Sequence, residues 1–239
     1  TIEDMAQFLE SEGLMTAEQF TAATRQVSAA DYPWLPDAVF QSVHPSVAPG
    51  ETHLEGFLYP DTYQVTGEVT PDQLVTQMLN RFEQVALPIY LQQQDQTPYS
   101  LMQWVTLASI VEREAVVPEE RSQIAAVFAR RLRQGIPLGA DPTVEYALGI
   151  RQTPENPLTF NDIATISPYN TYRYDGLPPG PISNPGIASL QASLNPPDTE
   201  FLYFVARYDG THVFSRTLAE HEAAQAEIRD AVDSGEWDG

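Results

Sequence analysis

The sequence contains no cysteine and no lysine. Without cysteine there can be no disulfide, no thiol nucleophile and no thiolate-bound metal. Histidine is scarce as well: His44, His53, His212 and His221 are scattered, and none stands in an HExxH or comparable ligand pair. That spacing argues against a metal centre, and with no phosphate-binding loop in view no cofactor is expected. No apolar run approaches the ~20 residues a spanning helix needs, and no signal peptide opens the chain. All 12 basic residues are arginine, against 33 acidic ones, for a formal charge of -21. Such a field repels polyanions, so a nucleic-acid partner is excluded. The lack of lysine fits a lineage bias as well as a salty or acidic habitat outside the cytoplasm, and identifies no reaction. Because the sequence begins at Thr1, in the middle of an amphipathic pattern, further N-terminal sequence is expected in the natural protein.

What is present suits a packed protein. With 42% apolar residues in 239, the chain has ample material for a core. Residues 1 to 27 read as two short helices, with Ile2, Met5, Phe8 and Leu9 on one face, Gly13 as the stop and Thr16 with Glu18 opening the second. An irregular segment rich in proline and aromatics follows, from Tyr32 to Gly56. The phrase LEGFLYPDTYQV (54 to 65) reads as a short strand or extended loop. Pro71 opens a helix to about Val85, and QQQDQTP (92 to 98) is a polar connector that divides the chain into an N-terminal part, 1 to 98, and a core, 99 to 239. Ser100 caps a helix through LMQWVTLASIVEREA that is apolar on nearly every side, the pattern of a buried helix. Pro118 precedes the next helix, SQIAAVFARRLRQG, closed by Gly135. In GADPTVEYALG, Asp141 is placed as an N-cap and Pro142 as the first helical residue. The loop SPYNTYRYDGLPPGPISNPG (167 to 186) holds five of the 20 prolines and is stiff enough to hold side chains in place. FLYFVARYDGTHVFS is a hairpin around Asp209-Gly210, and Thr217 with Glu220 forms a capping box for a last helix. Separate blocks of helices and a small antiparallel β component, with a C-terminal hairpin followed by a helix, define an α+β fold.

By elimination, chemistry falls to carboxylates, hydroxyls and tyrosines. Ser109 lacks a nucleophile elbow and a specified histidine partner, which leaves a serine hydrolase poorly supported. A glutamate in an apolar wall is better suited: burial disfavours its charge, raises its pKa and equips it to protonate a leaving oxygen. The stretch LASIVEREA offers two, Glu112 and Glu114, which point roughly 200° apart on a helix. On the wheel Glu112 lies inside the main stripe of Leu101, Trp104, Val105, Ala108, Val111 and Ala115, where an ion pair with Arg121 or Arg131 is its structural role. Glu114 lies on the other side with Gln103, Leu107 and Ile110. Periodicity mildly favours Glu112 as the more buried acid and does not decide which is catalytic.

The motifs ASIVERE, ER, VFARRL, ADPTVEYALG, SPYNTY, GLPPGPISNPG and LYFVA with GTHVFS, preceded by LEGFLYPDTY, follow in order over residues 54 to 222. Together they resemble the endolytic murein transglycosylases, the MltG or YceG-like family. The resemblance implies an enzyme that cleaves the β-1,4 bond between N-acetylmuramic acid and N-acetylglucosamine within a peptidoglycan strand and leaves a 1,6-anhydro end. It assigns the acid, and then the base, to Glu114, with Glu112 as structural support. Asp141, Tyr169, Asn170, Thr171 and Tyr172 are implied as substrate-binding residues, with Asp61, and Glu55 beside it, near the cleft. The family's inner-membrane helix and LysM-like subdomain precede the part of the chain seen here, which places the catalytic domain in the periplasm among peptidoglycan synthases. Two other readings stay open: a non-catalytic peptidoglycan-binding or scaffold module, and a hydrolytic muramidase using Glu114 with Asp141 or Asp61.

Overall fold

The structure is a computed structural model describing residues 1–233 apart from 42–43, 45–47, 49–50, 66–68, 154–155 and 208. Parts of the proline-rich segment expected between Tyr32 and Gly56, and one residue of the hairpin phrase, therefore lie outside the described residues. The rest is α+β: helices together with one antiparallel two-stranded sheet, against which the last helix packs. None of these helices is long and apolar enough to cross a membrane.

The N-terminal elements are α1 (Ile2–Ser11), α2 (Ala17–Thr24), α3 (Asp37–Phe40), α4 (Pro71–Val85) and α5 (Leu87–Gln93). Capping boxes start three of them: Thr1 with Asp4, Thr16 with Gln19, and Thr70 with Gln73. Each box satisfies two backbone N–H groups that the first helical turn leaves unpaired. The buried face of α1 is Ile2, Ala6 and Leu9, while Phe8 points to solvent. The phrase from 54 to 65 is a loop that turns at 55–58, and not a strand. Its Phe57 packs with Trp34 and Phe82, and the last two rings stack at 5.4 Å.

The central element is α6 (Leu101–Glu114), capped by Ser100 with Gln103. All residues from Trp104 to Val111 are buried, as a helix apolar on every side requires. Trp104 stacks on Tyr90 and donates its indole N–H to the Leu190 carbonyl at 2.8 Å. Its truncation to alanine would cost about 3–5 kcal/mol. The first half of α6 belongs to an apolar cluster with α1, α2, α4 and α5, and the second half to a cluster with the elements that follow. These are a 3-10 turn (Pro118–Glu120), α7 (Arg121–Gln134), α8 (Asp141–Leu148), α9 (Phe160–Ile163), α10 (Ile187–Leu194), the strands β1 (Tyr203–Ala206) and β2 (His212–Ser215), and α11 (Leu218–Asp233). The strands pair Tyr203 with Ser215 through Ala206 with His212. Thr217 and Glu220 exchange the hydrogen bonds of a capping box at the start of α11. The expected N-cap role of Asp141 is corrected: Ala140 is the cap and Asp141 the first helical residue, its carboxylate turned to side-chain partners.

Candidate active site

α6 ends at Glu114 because Ala115 leaves the helical region (φ -80°, ψ 110°). The last three helical residues, Glu112, Arg113 and Glu114, step by roughly 100° each and so face three different neighbours. Glu112 faces α10: it accepts a 2.5 Å hydrogen bond from the Ser189 hydroxyl and one from the Gly186 N–H at 3.3 Å. The expected ion pair of Glu112 with Arg121 or Arg131 is not formed. Arg121 donates to the same Ser189 oxygen at 3.2 Å, so the serine stands between the two charges. Arg131 donates instead to the carbonyls of Leu202, Pro137 and Leu138, with its guanidinium over the Tyr203 ring.

Arg113 faces α8 and pairs with the buried Glu145 at 2.9 Å, and the other Glu145 oxygen accepts from the Gln152 N–H. Glu114 faces the gap between these groups. It is half-buried, and among the described residues no hydrogen-bond donor or ion-pair partner reaches its carboxyl. A carboxyl that is partly covered yet unmatched is costly to ionise. Burial first, then the negative charges of Asp141 and Glu145, push Glu114 up to about 8, against the lowering influence of Arg113 and Arg131. The carbonyl end of α6 acts in the same direction as the two carboxylates. At neutral pH Glu114 therefore holds its proton.

Asp141 and Glu145 are four residues apart and share one face of α8. Asp141 accepts from the Tyr172 hydroxyl at 2.5 Å and from the Gln152 amide at 3.2 Å. Burial and the Asp141 charge raise the Tyr172 phenol far above its ordinary value, so it stays a donor. The Tyr172 ring lies against Gly139, where φ is +55° and an added Cβ would meet the ring at 3.4 Å. Glycine suits both demands.

The SPYNTY loop divides into exposed and buried members. Tyr172 is 39% exposed and can meet a ligand. Asn170 is fully buried: its amide donates to the Ile163 and Thr165 carbonyls, and its oxygen accepts from the Tyr172 N–H. Thr171 bonds Thr143 and the Ala140 N–H. Asn170 and Thr171 thus hold the loop in position and have no polar atom to spare. Tyr169 is 2% exposed and packs on Tyr146 and His44. Asp61 accepts from Arg81 at 2.6 Å and from the Thr62 N–H, which ties its turn to α4. Glu55 is buried, accepts from the Ile2 N–H and Asn184, and is raised by burial to about 6. Ser109 is enclosed, bonded to the Thr106 carbonyl and the Ile182 N–H, and cannot act as a nucleophile. His212 bonds Glu120 through its backbone and ring nitrogens and fixes the hairpin. A cavity of about 680 Å3 adjoins the Arg113–Glu145 pair without including Glu114. Among the described residues no group of side chains could hold a metal ion.

Sequence reasoning passed over Glu145, Arg113 and Ser189. The first was within reach, since ADPTVEY places it one helical turn after Asp141. Ser189 lies in a helix whose start carries no side-chain cap, so no local start signal marks it.

The chain is similar to known proteins along nearly its whole length. A family model described as the YceG-like family matches residues 1–227. An endolytic murein transglycosylase of Bacillus subtilis (strain 168) is 37% identical over 172 residues, 72% of this chain and 47% of that protein. Another, of Streptococcus pneumoniae serotype 2 (strain D39 / NCTC 7466), is 31% identical over 225 residues, 89% of this chain and 39% of that protein. A crystal structure of a YceG-like protein from Listeria monocytogenes, 33% identical, superposes with a TM-score of 0.82 over 94% of this chain and 73% of that one. The chain belongs to the YceG-like family. It spans less than half the length of the two transglycosylases it matches.

Proposed function

We propose that this chain is the catalytic part of an endolytic peptidoglycan lytic transglycosylase, anchored through preceding sequence at the bacterial inner membrane, facing the periplasm and working beside peptidoglycan synthases. The observation that carries the reading is the setting of Glu114: half-buried at the end of α6, near the carboxylates Asp141 and Glu145 and without a hydrogen-bond or ion-pair partner among the described residues, a setting that pushes its carboxyl up to about 8. Its similarity to proteins named endolytic murein transglycosylases supports the substrate class.

In this reading Glu114 gives its proton to the oxygen of the β-1,4 bond between N-acetylmuramic acid and N-acetylglucosamine, and the C1–O bond breaks. The C6 hydroxyl of the same muramic ring then forms a bond to C1 and passes its proton to the Glu114 carboxylate. The glutamate ends as it began, no water is consumed, and the product carries a 1,6-anhydro end. An intramolecular hydroxyl has a high effective concentration, so no second carboxylate is needed to activate water. A hydrolase would need that second acid. Asp141 is occupied by Tyr172 and Gln152, which favours a role in setting Tyr172 against the sugar over that of a base.

Digestion of purified glycan strands tests the reading. Anhydro-ended fragments support it, reducing ends indicate a muramidase, and intact strands indicate a binding module. Glu114→Gln abolishes cleavage. Loss of cleavage in folded Glu112→Gln with retention in Glu114→Gln would overturn the assignment.

A further inference from the structure

On the face of α8 that carries Asp141 and Glu145, most polar groups are already matched. Asp141 accepts from the Tyr172 hydroxyl on one oxygen and from the Gln152 amide on the other. Glu145 accepts from Arg113 on one oxygen and from the Gln152 backbone N–H, at 3.0 Å, on the other. Gln152 is thus anchored at both ends, its backbone on Glu145 and its side chain on Asp141. Those two carboxylates stand one helical turn apart, so Gln152 lies along the face they share. Both of them oppose the charge of Glu114, which places Gln152 beside the acid.

Two groups here remain open. One is the Glu114 carboxyl. The other is the amide oxygen of Gln152: a carboxylate accepts and does not donate, so Asp141 takes the NH2 end of the amide and turns the oxygen away. That oxygen has no partner among the described residues, and neither it nor the Glu114 carboxyl is shut off from solvent. Gln152 is half-buried, and the 39% exposed Tyr172 ring shares Asp141 with it. A ligand arriving here meets a proton on Glu114 and a neutral acceptor on Gln152, and the acceptor needs an N–H or O–H.

Resting on the transglycosylase reading, the chemistry of the substrate narrows which group that is. Within a strand the muramic ring has O1 and O4 in glycosidic bonds, O3 in the lactyl ether and its C6 hydroxyl committed to the attack on C1. The acetamido N–H on C2 is the donor left on that ring, and C2 adjoins the carbon whose bond is broken. We propose that Gln152 is a specificity-determining residue: its amide oxygen accepts a hydrogen bond from the acetamido N–H of the muramic residue at the cleaved bond, while Asp141 holds the amide in place. A neutral acceptor suits this position, because a third carboxylate would add to the charges already set against Glu114.

The test uses two synthetic strand fragments, one natural and one with the muramic acetamido group replaced by acetoxy, which keeps the carbonyl and methyl and lacks the N–H. The wild type cleaves the acetoxy fragment with kcat/KM about tenfold lower, the effect of one lost hydrogen bond whose acceptor stays unmatched. Gln152→Leu, which has no acceptor, loses about the same factor on the natural fragment and no longer distinguishes the two, with unchanged thermal unfolding showing that the fold is intact. Equal cleavage of both fragments by the wild type, or a Gln152→Leu variant that keeps the preference, overturns the proposal. If that variant does not fold, Gln152→Ala takes its place with the same expectation. A wild type that cleaves neither fragment refutes the reaction instead. Calorimetric binding then decides the role of Gln152, with the same preference expected in the wild type and none in the variant.

Discussion

Replacing Glu114 by glutamine should stabilise the fold at alkaline pH while it removes activity. The carboxyl is held at about 8 in the folded chain against 4.5 for an ordinary glutamate. Between those values the folded state binds a proton that the unfolded state does not, so stability falls as pH rises through the window, and the loss is complete above about 8. At about 1.4 kcal/mol for each pH unit, the ceiling on that loss is about 5 kcal/mol. Glu114 is only half-buried and can turn toward water, and an effective dielectric near 20 reduces the cost to about 1–2 kcal/mol. Glutamine keeps the shape and never ionises. At pH 5.5 the two proteins should unfold together, and at pH 9 the variant should melt about 2–8 °C higher for a chain of this size. Thermal unfolding of both across pH 5 to 9 measures the difference directly, and the general effect of the other acidic residues cancels between them. A variant less stable at both ends, as expected for a carboxylate accepting internal hydrogen bonds, would refute the electrostatic account of Glu114.

Glu145→Gln removes one of the two negative charges that raise Glu114 and releases Arg113, which lowers it. Both changes move the alkaline limb of the kcat/KM profile on isolated strands to lower pH, and an unmoved limb would contradict the assignment of that limb to Glu114. Ser189→Ala deprives Glu112 of its 2.5 Å bond and Arg121 of its partner; urea unfolding should show a loss of about 1–3 kcal/mol, with cleavage per folded molecule retained. Asn170→Ala leaves the Ile163 and Thr165 carbonyls without their donor. A loss of about 2–4 kcal/mol and faster proteolysis between 163 and 174 are expected, and a neutral effect would mean that the amide does not hold the loop.

Local signals in the sequence carried much of the frame. Ser100 with Gln103 and Thr217 with Glu220 are capping boxes because the donors and acceptors that make them lie within four residues. The all-round apolar pattern of α6 likewise follows from burial on every side. The functions of individual polar groups were less legible, since they depend on partners far along the chain. Glu112 looked ready for an arginine, yet its hydroxyl partner lies 77 residues away on a helix without a side-chain cap. Asn170 was expected to bind substrate, and only the fold brings the Ile163 and Thr165 carbonyls to its amide. Asp141 was one residue off its expected place because Ala140, which has no side-chain oxygen, takes the cap position.

The E-R-E ending of α6 makes one carboxyl different from the other without any difference in residue type. A helix turns roughly 100° per residue, so three consecutive charged side chains cannot share one environment. Glu112 meets a hydroxyl and a backbone N–H, which occupy its carboxyl as hydrogen-bond donors. Arg113 is drawn to Glu145 and so does not fold back onto Glu114 as a full counter-ion. Glu114, left in the gap with Asp141 and Glu145 nearby, has its charge opposed from two sides. The Arg113–Glu145 pair therefore has two effects: it removes the nearest cation from the acid and sets a carboxylate beside it. The same pair forms part of the wall of the neighbouring cavity.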